Sequence, residues 1–309
     1  MIVIGGEALV DLVEEDGVLR PAAGGGPFNT AVALGRLDVP VAFLGTLSRD
    51  DYGELLAELL IDAGVDTSLV RRSDAPTPLA IVHQHDGGKN TYTFYLSATA
   101  LTDLPADSLP RLPESVWGMH VGTLALAVDP PASAYQALVH REEGRRTVIL
   151  DPNVRPAMFG SRDSYRERFE RFARMADIVK LSDDDAAWVY PELDPGRALG
   201  HILDLGPRLV AVTLGDKGAT AAFAGGQVDV PAPAVSVVDT VGAGDSFGAG
   251  LIAALVDGGA LGPNGGATLD APLVTRAVAY AATAAAITCT RRGAVPPTRS
   301  EIADRIQIA

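Results

Sequence analysis

VSVVDTVGAGDSFGAGLIAAL, residues 235–255, is the stretch of this 309-residue sequence that decides the fold. Its valines form a short β-branched run, which predicts the end of a buried strand. The glycines at 242 and 244 predict a turn, and apolar residues spaced four apart from 247 onward predict a helix. Backbone N–H groups and the helix dipole would meet at this turn, so the sequence predicts an anion site here, most plausibly for phosphate.

Asp245 is the unusual residue of this stretch, because it adds a negative charge to an anion site. A carboxylate there could accept a proton from a hydroxyl that attacks phosphorus. Aspartate is also a common helix cap. The neighbouring Asp239, Thr240 and two glycines favour the chemical role. At a helix N-terminus we expect the pKa of Asp245 to be low, which would make it a weak base.

Two other phosphate-binding motifs are excluded. No stretch matches G-x-x-x-x-G-K-[ST], which excludes a P-loop protein. The dinucleotide pattern G-x-G-x-x-G also fails, because Phe247 stands where the third glycine would be. The glycines lie near the C-terminus and not in a first βαβ unit, which argues against a nicotinamide oxidoreductase.

The composition restricts the partners. A formal charge of −14 argues against nucleic acid or an anionic membrane as partner, and an anionic ligand such as ATP would need a local positive patch. Cys289 is the single cysteine, so no internal disulfide forms. The chain opens on an apolar run without a basic segment, and residues 277–290 are too short an uncharged stretch to span a bilayer. We therefore expect a cytoplasmic protein.

Two kinds of strand pattern divide the chain. Asp16-Gly17 and the segment 85–90 each lie between extended runs, and both predict hairpins. From residue 116 onward strands and helices alternate, which predicts a mostly parallel sheet flanked by helices on both faces. Without a linker, residues 1–309 form one α/β domain, and the small β-sheet from segments of about 8–25 and 79–97 is an insertion in it. Ligands should bind at the carboxyl ends of the parallel strands.

DTVGAGDSF at residues 239–247 resembles the C-terminal signature of the ribokinase-like (PfkB-type) sugar kinases. The resemblance extends from GGEALVDL at 5–12 to TRRGAVPPT at 290–298, and the first half is most similar to the fructokinase branch. It implies a ribokinase-like fold whose small sheet is a lid over the sugar. It also implies an ATP-dependent kinase with Mg²⁺, often with K⁺, whose partners are ATP and a small sugar. Members often form homodimers through the lid.

The resemblance also implies roles for individual residues. Asp245 would deprotonate the sugar hydroxyl, and the developing phosphoryl charge would be held by the N–H groups of Gly242, Ala243 and Gly244. The sugar would contact Asp11, Gly25, Asn29, Tyr95 and Arg155. The nucleotide would lie near Lys180, Ser182, Thr213, Gly215 and Gly218. Asp185 would act on magnesium through water, and a monovalent cation would use Asp239 and the carbonyl of Val241.

Some positions depart from the family pattern and keep alternatives open. Ser182 and Asp185 stand where an Asn-x-x-Glu pattern is usual. Leu96 stands where 2-keto-3-deoxygluconate kinases tend to carry an arginine for the substrate carboxylate, which favours a neutral sugar such as fructose, although Arg20 or Arg71 could reach the pocket. Ribose and nucleoside kinases are further alternatives. A sugar-sensing homologue without catalysis is the non-enzyme alternative, and the intact Asp245 argues against it.

Overall fold

The structure is a computed structural model that describes residues 1–15, 17–83, 91–105 and 108–308. Its strands are β1 (Ile2–Gly5), β2 (Leu9–Glu15), β3 (Val18–Gly24), β4 (Val41–Leu44), β5 (Thr46–Ser48), β6 (Arg71–Ser73), β7 (Leu79–His83), β8 (Thr91–Tyr95), β9 (Gly118–Gly122), β10 (Thr147–Asp151), β11 (Ile178–Ser182), β12 (Leu209–Thr213), β13 (Ala219–Phe223) and β14 (Gly226–Val230). Its helices are α1 (Gly26–Arg36), α2 (Asp51–Asp62), α3 (Pro131–Glu142), α4 (Arg162–Met175), α5 (Asp183–Val189), α6 (Pro195–Asp204), α7 (Ala243–Asp257), α8 (Ala271–Cys289) and α9 (Arg299–Ile308).

The large sheet has eight strands in the order β14-β13-β12-β11-β10-β9-β1-β4. In this spatial order, the six strands from β12 to β4 run parallel to one another. Strands β13 and β14 extend the sheet beside β12 by antiparallel pairing. Parallel strands need crossovers, and helices provide them on both faces. The predicted α/β class is confirmed. All six carboxyl ends therefore lie along one edge, where a ligand site is expected.

Strand alternation divides the core into two layers. On β10, Ile149 packs with α1, α2, α7 and α8 on one face, while Val148 and Leu150 pack with helices α3 to α6 on the other. The predicted apolar face of α7 is fully buried in the first layer. There α7 approaches α8 so closely that a Cβ atom on Gly250 would lie 2.9 Å from the Cα of Ala281. This packing fixes the N-terminus of α7 at the ligand-binding edge.

A second sheet of four strands, β3-β2-β7-β8, lies outside this layering. It is built from the two predicted hairpins, each antiparallel, joined by parallel pairing of β2 with β7. The turn of the second hairpin, residues 84–90, lies outside the described residues. The sheet therefore forms from two segments separated in the sequence, as the two hairpin patterns predict.

The predicted strand in residues 235–238 is wrong. This segment has no regular structure, and Val237 and Val238 are 62% and 61% exposed. The N–H groups of Val238 and Asp239 bond instead to the carbonyl oxygen of Cys289, at the end of α8. Strand β14 is the last strand on this side of the sheet, and residues 235–238 do not pair with it. They form a loop that leads into α7 and is held by the end of α8.

Among the described residues, helix α8 is the one helix whose length and composition would allow it to cross a membrane. Its 19 residues include Arg276, so the helix exceeds the uncharged stretch read from the sequence. However, 61% of its most apolar window is buried against the rest of the chain. Helix α8 is therefore a core helix that supports α7.

Candidate active site

Two cavities meet at the N-terminus of α7. The first, of about 270 Å³, lies between the carboxyl edge of the large sheet and the small sheet. The second, of about 520 Å³, lies between the loop that precedes α7 and helix α8. Thr240 and Gly244 line both cavities. A group bound in one cavity can thus reach a group bound in the other across the start of α7.

The turn before α7 depends on Gly242. Its φ of 75° lies in the left-handed region, where glycine pays no steric cost. A Cβ atom would also lie 2.6 Å from the Cβ of Ala294. The N–H of Ala243 donates to the carbonyl oxygen of Thr240 at 3.2 Å. This N–H, one of the three predicted to hold the phosphoryl charge, is therefore already hydrogen-bonded within the turn. The N–H groups of Gly242 and Gly244 are the remaining donors among the three predicted ones.

Asp245 is the third residue of α7 and faces the first cavity. Its side chain is buried, and Asn29 Nδ2 donates a 2.8 Å hydrogen bond to its Oδ2. Burial raises the pKa of Asp245 to about 6, although the bond from Asn29 and the charge of Lys180 act in the opposite direction. The expectation of a low pKa is therefore wrong, because burial outweighs the helix terminus. At neutral pH Asp245 is ionised but a stronger base than an exposed aspartate.

Lys180 lies beneath the turn. Its Nζ donates to Asp151 Oδ2 at 2.8 Å, and both side chains are buried. A Cβ atom on Gly244 would lie 3.2 Å from this Nζ, so the ammonium group lies against the turn. Burial alone would lower the pKa of Lys180, but the charge of Asp151 raises it on balance. Lys180 is therefore a fixed positive charge at the anion site of an otherwise acidic protein.

Four of the five predicted sugar residues line the first cavity, namely Asp11, Gly25, Asn29 and Arg155. Tyr95 does not. It is 54% exposed, and the neighbouring strand positions Tyr92 and Phe94 line the cavity instead. Side chains alternate along a strand, so the aromatic residue was assigned to the wrong face of β8.

Arg155 and Asp11 set the charge of this cavity. The Arg155 guanidinium donates to Asn153 Oδ1 at 2.7 Å and lies 5.8 Å from the centre of the Tyr92 ring. Burial raises the pKa of Asp11 to about 6, and the charge of Arg155 partly offsets this. Arg20 and Arg71 are not among the residues that line the cavity, and Arg71 pairs with Asp103 instead.

Three further polar residues of the first cavity, Glu7, Thr123 and Asn153, are not among the predicted sugar contacts named above, although the position of Asn153 at a strand end indicates phosphate or sugar. Glu7 follows β1 and is buried. Thr123 and Asn153 follow β9 and β10, and their φ angles of 52° and 36° are unusual for residues other than glycine. Position beyond a buried strand is the signal that could have identified all three, since parallel strands end at one edge.

Ser182 and Asp185 do not line either cavity. The Ser182 hydroxyl accepts from the N–H of Asp185, and Asp185 Oδ2 accepts from the N–H of Ser182 at 2.9 Å, which is a capping box for α5. Asp185 Oδ1 accepts from the N–H of Val154 at 2.7 Å. Both side chains therefore cap α5 in the structure, and their roles toward nucleotide and magnesium stay predictions.

The second cavity contains the predicted nucleotide residues Thr213, Gly215 and Gly218. Its other walls are mainly alanine, proline and valine side chains from the loop before α7 and from α8. The result is a mainly apolar slot, whose lining also includes Thr240, Ala243 and Gly244 of the turn before α7. Asp239 braces this turn, because its carboxylate accepts from the N–H groups of Val241 at 3.1 Å and Gly293 at 2.8 Å.

Comparisons with known proteins agree with this arrangement. The chain is 40% identical over 260 residues to a fructokinase from Rhizobium leguminosarum bv. trifolii, covering 82% of this chain and 79% of that protein. A Vibrio cholerae O395 fructokinase structure in its fructose-, ADP- and potassium-bound form has a TM-score of 0.86 at 28% identity, covering 98% and 97% of the two chains. A Xylella fastidiosa fructokinase structure with bound ATP has a TM-score of 0.88 at 25% identity, covering 99% and 98%. The model for "pfkB family carbohydrate kinase" matches residues 7–301, and this chain therefore belongs to that family of sugar kinases with the ribokinase-like fold.

Proposed function

We propose that this protein transfers the γ-phosphoryl group of ATP to a hydroxyl of a small neutral sugar, with fructose as the preferred acceptor. The observation that carries the proposal is the meeting of a polar cavity and an apolar slot at the start of α7. Fructokinase relatives at up to 40% identity support fructose as the sugar.

In the proposed mechanism, the sugar hydroxyl lies beside Asp245, which accepts its proton while Asn29 fixes the carboxylate. The N–H groups of Gly242 and Gly244, with Lys180 behind them, hold the charge of the transferred phosphoryl group. Phosphoryl transfer needs mainly positioning and charge stabilisation, and rigid backbone donors supply both. The small sheet acts as a lid that excludes water from the sugar cavity.

Magnesium enters this scheme as part of the MgATP substrate. The described residues contain no cluster of three histidine, cysteine or acidic side chains that could hold a metal ion. Mg²⁺ commonly keeps several waters and binds through substrate phosphates, so MgATP needs no such cluster. For a monovalent cation, we propose Asp239 and the carbonyl of Val241. The potassium-bound fructokinase of Vibrio cholerae supports this, and dependence of the rate on KCl would test it.

We also propose a homodimer through the outer face of the lid. Leu19 and Tyr95 are large apolar or aromatic side chains that are exposed on this face of the small sheet. A second copy would cover them. Sedimentation equilibrium of the purified protein should then give twice the mass of one chain, and Leu19→Asp should yield monomers. We place this enzyme in the cytoplasm, where ATP is available.

A substrate screen tests the proposed function. ATP consumption should depend on added sugar, and kcat/KM for fructose should exceed that for 2-keto-3-deoxygluconate by about 10²-fold or more, because the carboxylate of the sugar acid would have only Arg155 as a cationic partner among the described cavity residues. Ribose and nucleosides complete the screen. Equal rates with the sugar acid would favour the alternative kinase. Sugar binding without ATP turnover would favour a sensing homologue.

The two faces of β8 give a paired prediction about the sugar. Tyr92→Ala should raise KM for fructose by roughly tenfold, since the ring that lines the cavity and lies under Arg155 is lost. Tyr95→Ala, on the exposed face of the same strand, is the matched control and should leave KM for fructose unchanged. Steady-state kinetics with saturating ATP would measure both. A raised KM for fructose in Tyr95→Ala and an unchanged KM in Tyr92→Ala would assign the sugar contact to Tyr95.

A further inference from the structure

Glu7 is a buried acid at the sugar cavity that the mechanism leaves without a role. It lies two residues beyond β1, is 2% exposed and lines the first cavity. Neither carboxyl oxygen has a hydrogen-bond partner among the described residues. Buried polar groups are almost always paired, because an unpaired one loses its bonds to water without replacement. An unpaired carboxyl group that faces a cavity is explained when a ligand supplies the missing partner.

The surrounding backbone holds Glu7 in place. Gly25, with a φ of 105°, crosses directly over it, and a Cβ atom on that glycine would lie 2.8 Å from the carbonyl oxygen of Glu7. The N–H of the preceding Gly6 is held by the carbonyl oxygen of Leu44. Position 7 is therefore fixed between the end of β1 and the glycine loop that begins α1. Such a site is preorganised for a ligand.

We propose that Glu7 is a sugar-binding residue that exchanges hydrogen bonds with a hydroxyl of the acceptor. The inference deepens the proposed function and rests on it. A carboxylic acid can donate one hydrogen bond and accept others, which matches the donor and acceptor pair of a hydroxyl.

Burial, more than any charged neighbour, keeps the carboxyl group of Glu7 neutral. Burial raises the pKa of Glu7 to about 8, Arg155 lowers it, and Asp245 raises it. The N–H groups of Glu7 itself and of Leu124 also lower this pKa, because they lie near the carboxyl group, although neither reaches it with the geometry of a hydrogen bond. The third titratable neighbour, Tyr135, is buried and un-ionised, with its hydroxyl donating to the carbonyl oxygen of Leu44. At neutral pH, Glu7 is thus mainly a hydrogen-bond donor.

Two substitutions test the role of Glu7. Glu7→Leu removes the polar group and should weaken fructose binding by roughly tenfold or more, with KM for ATP unchanged. Glu7→Gln keeps a donor and an acceptor, so it should retain most of the affinity. It should also abolish the loss of affinity that the wild-type protein shows as the pH rises through about 8. Calorimetric titration of fructose without ATP gives the affinities.

Deoxyfructose analogues identify the hydroxyl and guard against a purely structural explanation. The analogue that lacks the hydroxyl contacted by Glu7 should bind to the wild-type protein and to Glu7→Leu with equal affinity. Tyr280→Phe, which removes a buried unpartnered hydroxyl outside the cavity, is the control and should change no affinity. If Glu7→Leu raises the thermal midpoint but binds fructose as wild-type does, the inference is wrong. If fructose binding depends on Glu7 but no sugar is phosphorylated, the inference stands and the proposed function fails.

Discussion

Asp245→Asn should lower kcat for fructose phosphorylation by roughly 10²- to 10⁴-fold, the usual contribution of a positioned general base. The side chain keeps its size, and Asn29 still lies within hydrogen-bond distance, so fructose and ATP should bind with little change. A loss confined to kcat would show that the carboxylate acts in the transition state. Steady-state kinetics together with fructose calorimetry would measure both quantities.

The matched control for this substitution is Asp257→Asn. Asp257 ends the same helix, α7, and pairs with Arg299 at the surface, where an ion pair contributes little. This variant should retain wild-type kcat. Near-normal turnover by Asp245→Asn, or an equal loss in both variants, would overturn the base assignment.

The pH profile gives independent evidence on the same carboxylate. Because the pKa of Asp245 is raised to about 6, the base becomes protonated below that pH, and kcat/KM for fructose should fall there while it stays level toward pH 7. The pKa of Asp11 is also about 6, so the acid limb alone does not assign the residue. The residual activity of Asp245→Asn should lack this limb, whereas Asp11→Asn should retain it. A limb that survives in Asp245→Asn would assign the titration to another group.

The fold could be predicted where a pattern has one physical solution. Alternation of strands and helices after residue 116 requires a parallel sheet, and apolar residues four apart require that α7 bury that face. The β-branched run at residues 235–238 is compatible with two structures, a buried strand or an exposed loop. The presence of β13 and β14 at the sheet edge decides between them, and that pairing is not visible locally.

The site could be predicted only in part, for similar reasons. Asp245 and Asn29 each follow a recognisable glycine-rich segment at the start of a helix, and the structure joins them by a 2.8 Å hydrogen bond from Asn29 Nδ2 to Asp245 Oδ2. Tyr95 was misassigned because the alternation along β8 is clear in the sequence while the direction of the cavity is not. The low pKa expected for Asp245 considered the helix terminus alone, whereas burial depends on the whole fold. Glu7 follows a buried strand, which places it at the ligand-binding edge, but its burial beneath Gly25 depends on the whole fold and is not visible in the sequence.

Lys180 leads to the second large expected effect, which concerns both stability and chemistry. Lys180→Met should lower the free energy of unfolding by about 3–5 kcal/mol, because it leaves the buried Asp151 without its counter-ion. The other carboxyl oxygen of Asp151 is already without a partner among the described residues, so nothing nearby replaces the ammonium group. Urea denaturation at neutral pH would measure the loss. Lys217→Met, at an exposed position, is the control and should be nearly neutral.

A double substitution separates this structural cost from the role of Lys180 at the anion turn. Lys180→Met combined with Asp151→Asn removes both charges and should recover most of the lost stability, since buried ion pairs often contribute little net free energy. Its kcat with MgATP should nevertheless remain about 10²-fold below wild type, because the positive charge beneath Gly244 is still absent. Full activity in the stable double variant would assign Lys180 to folding alone. Low activity at restored stability would establish that the charge of Lys180 acts on the phosphoryl group. Among the described side chains, Lys180 is the one that lies within 4 Å of a Cβ position on Gly244.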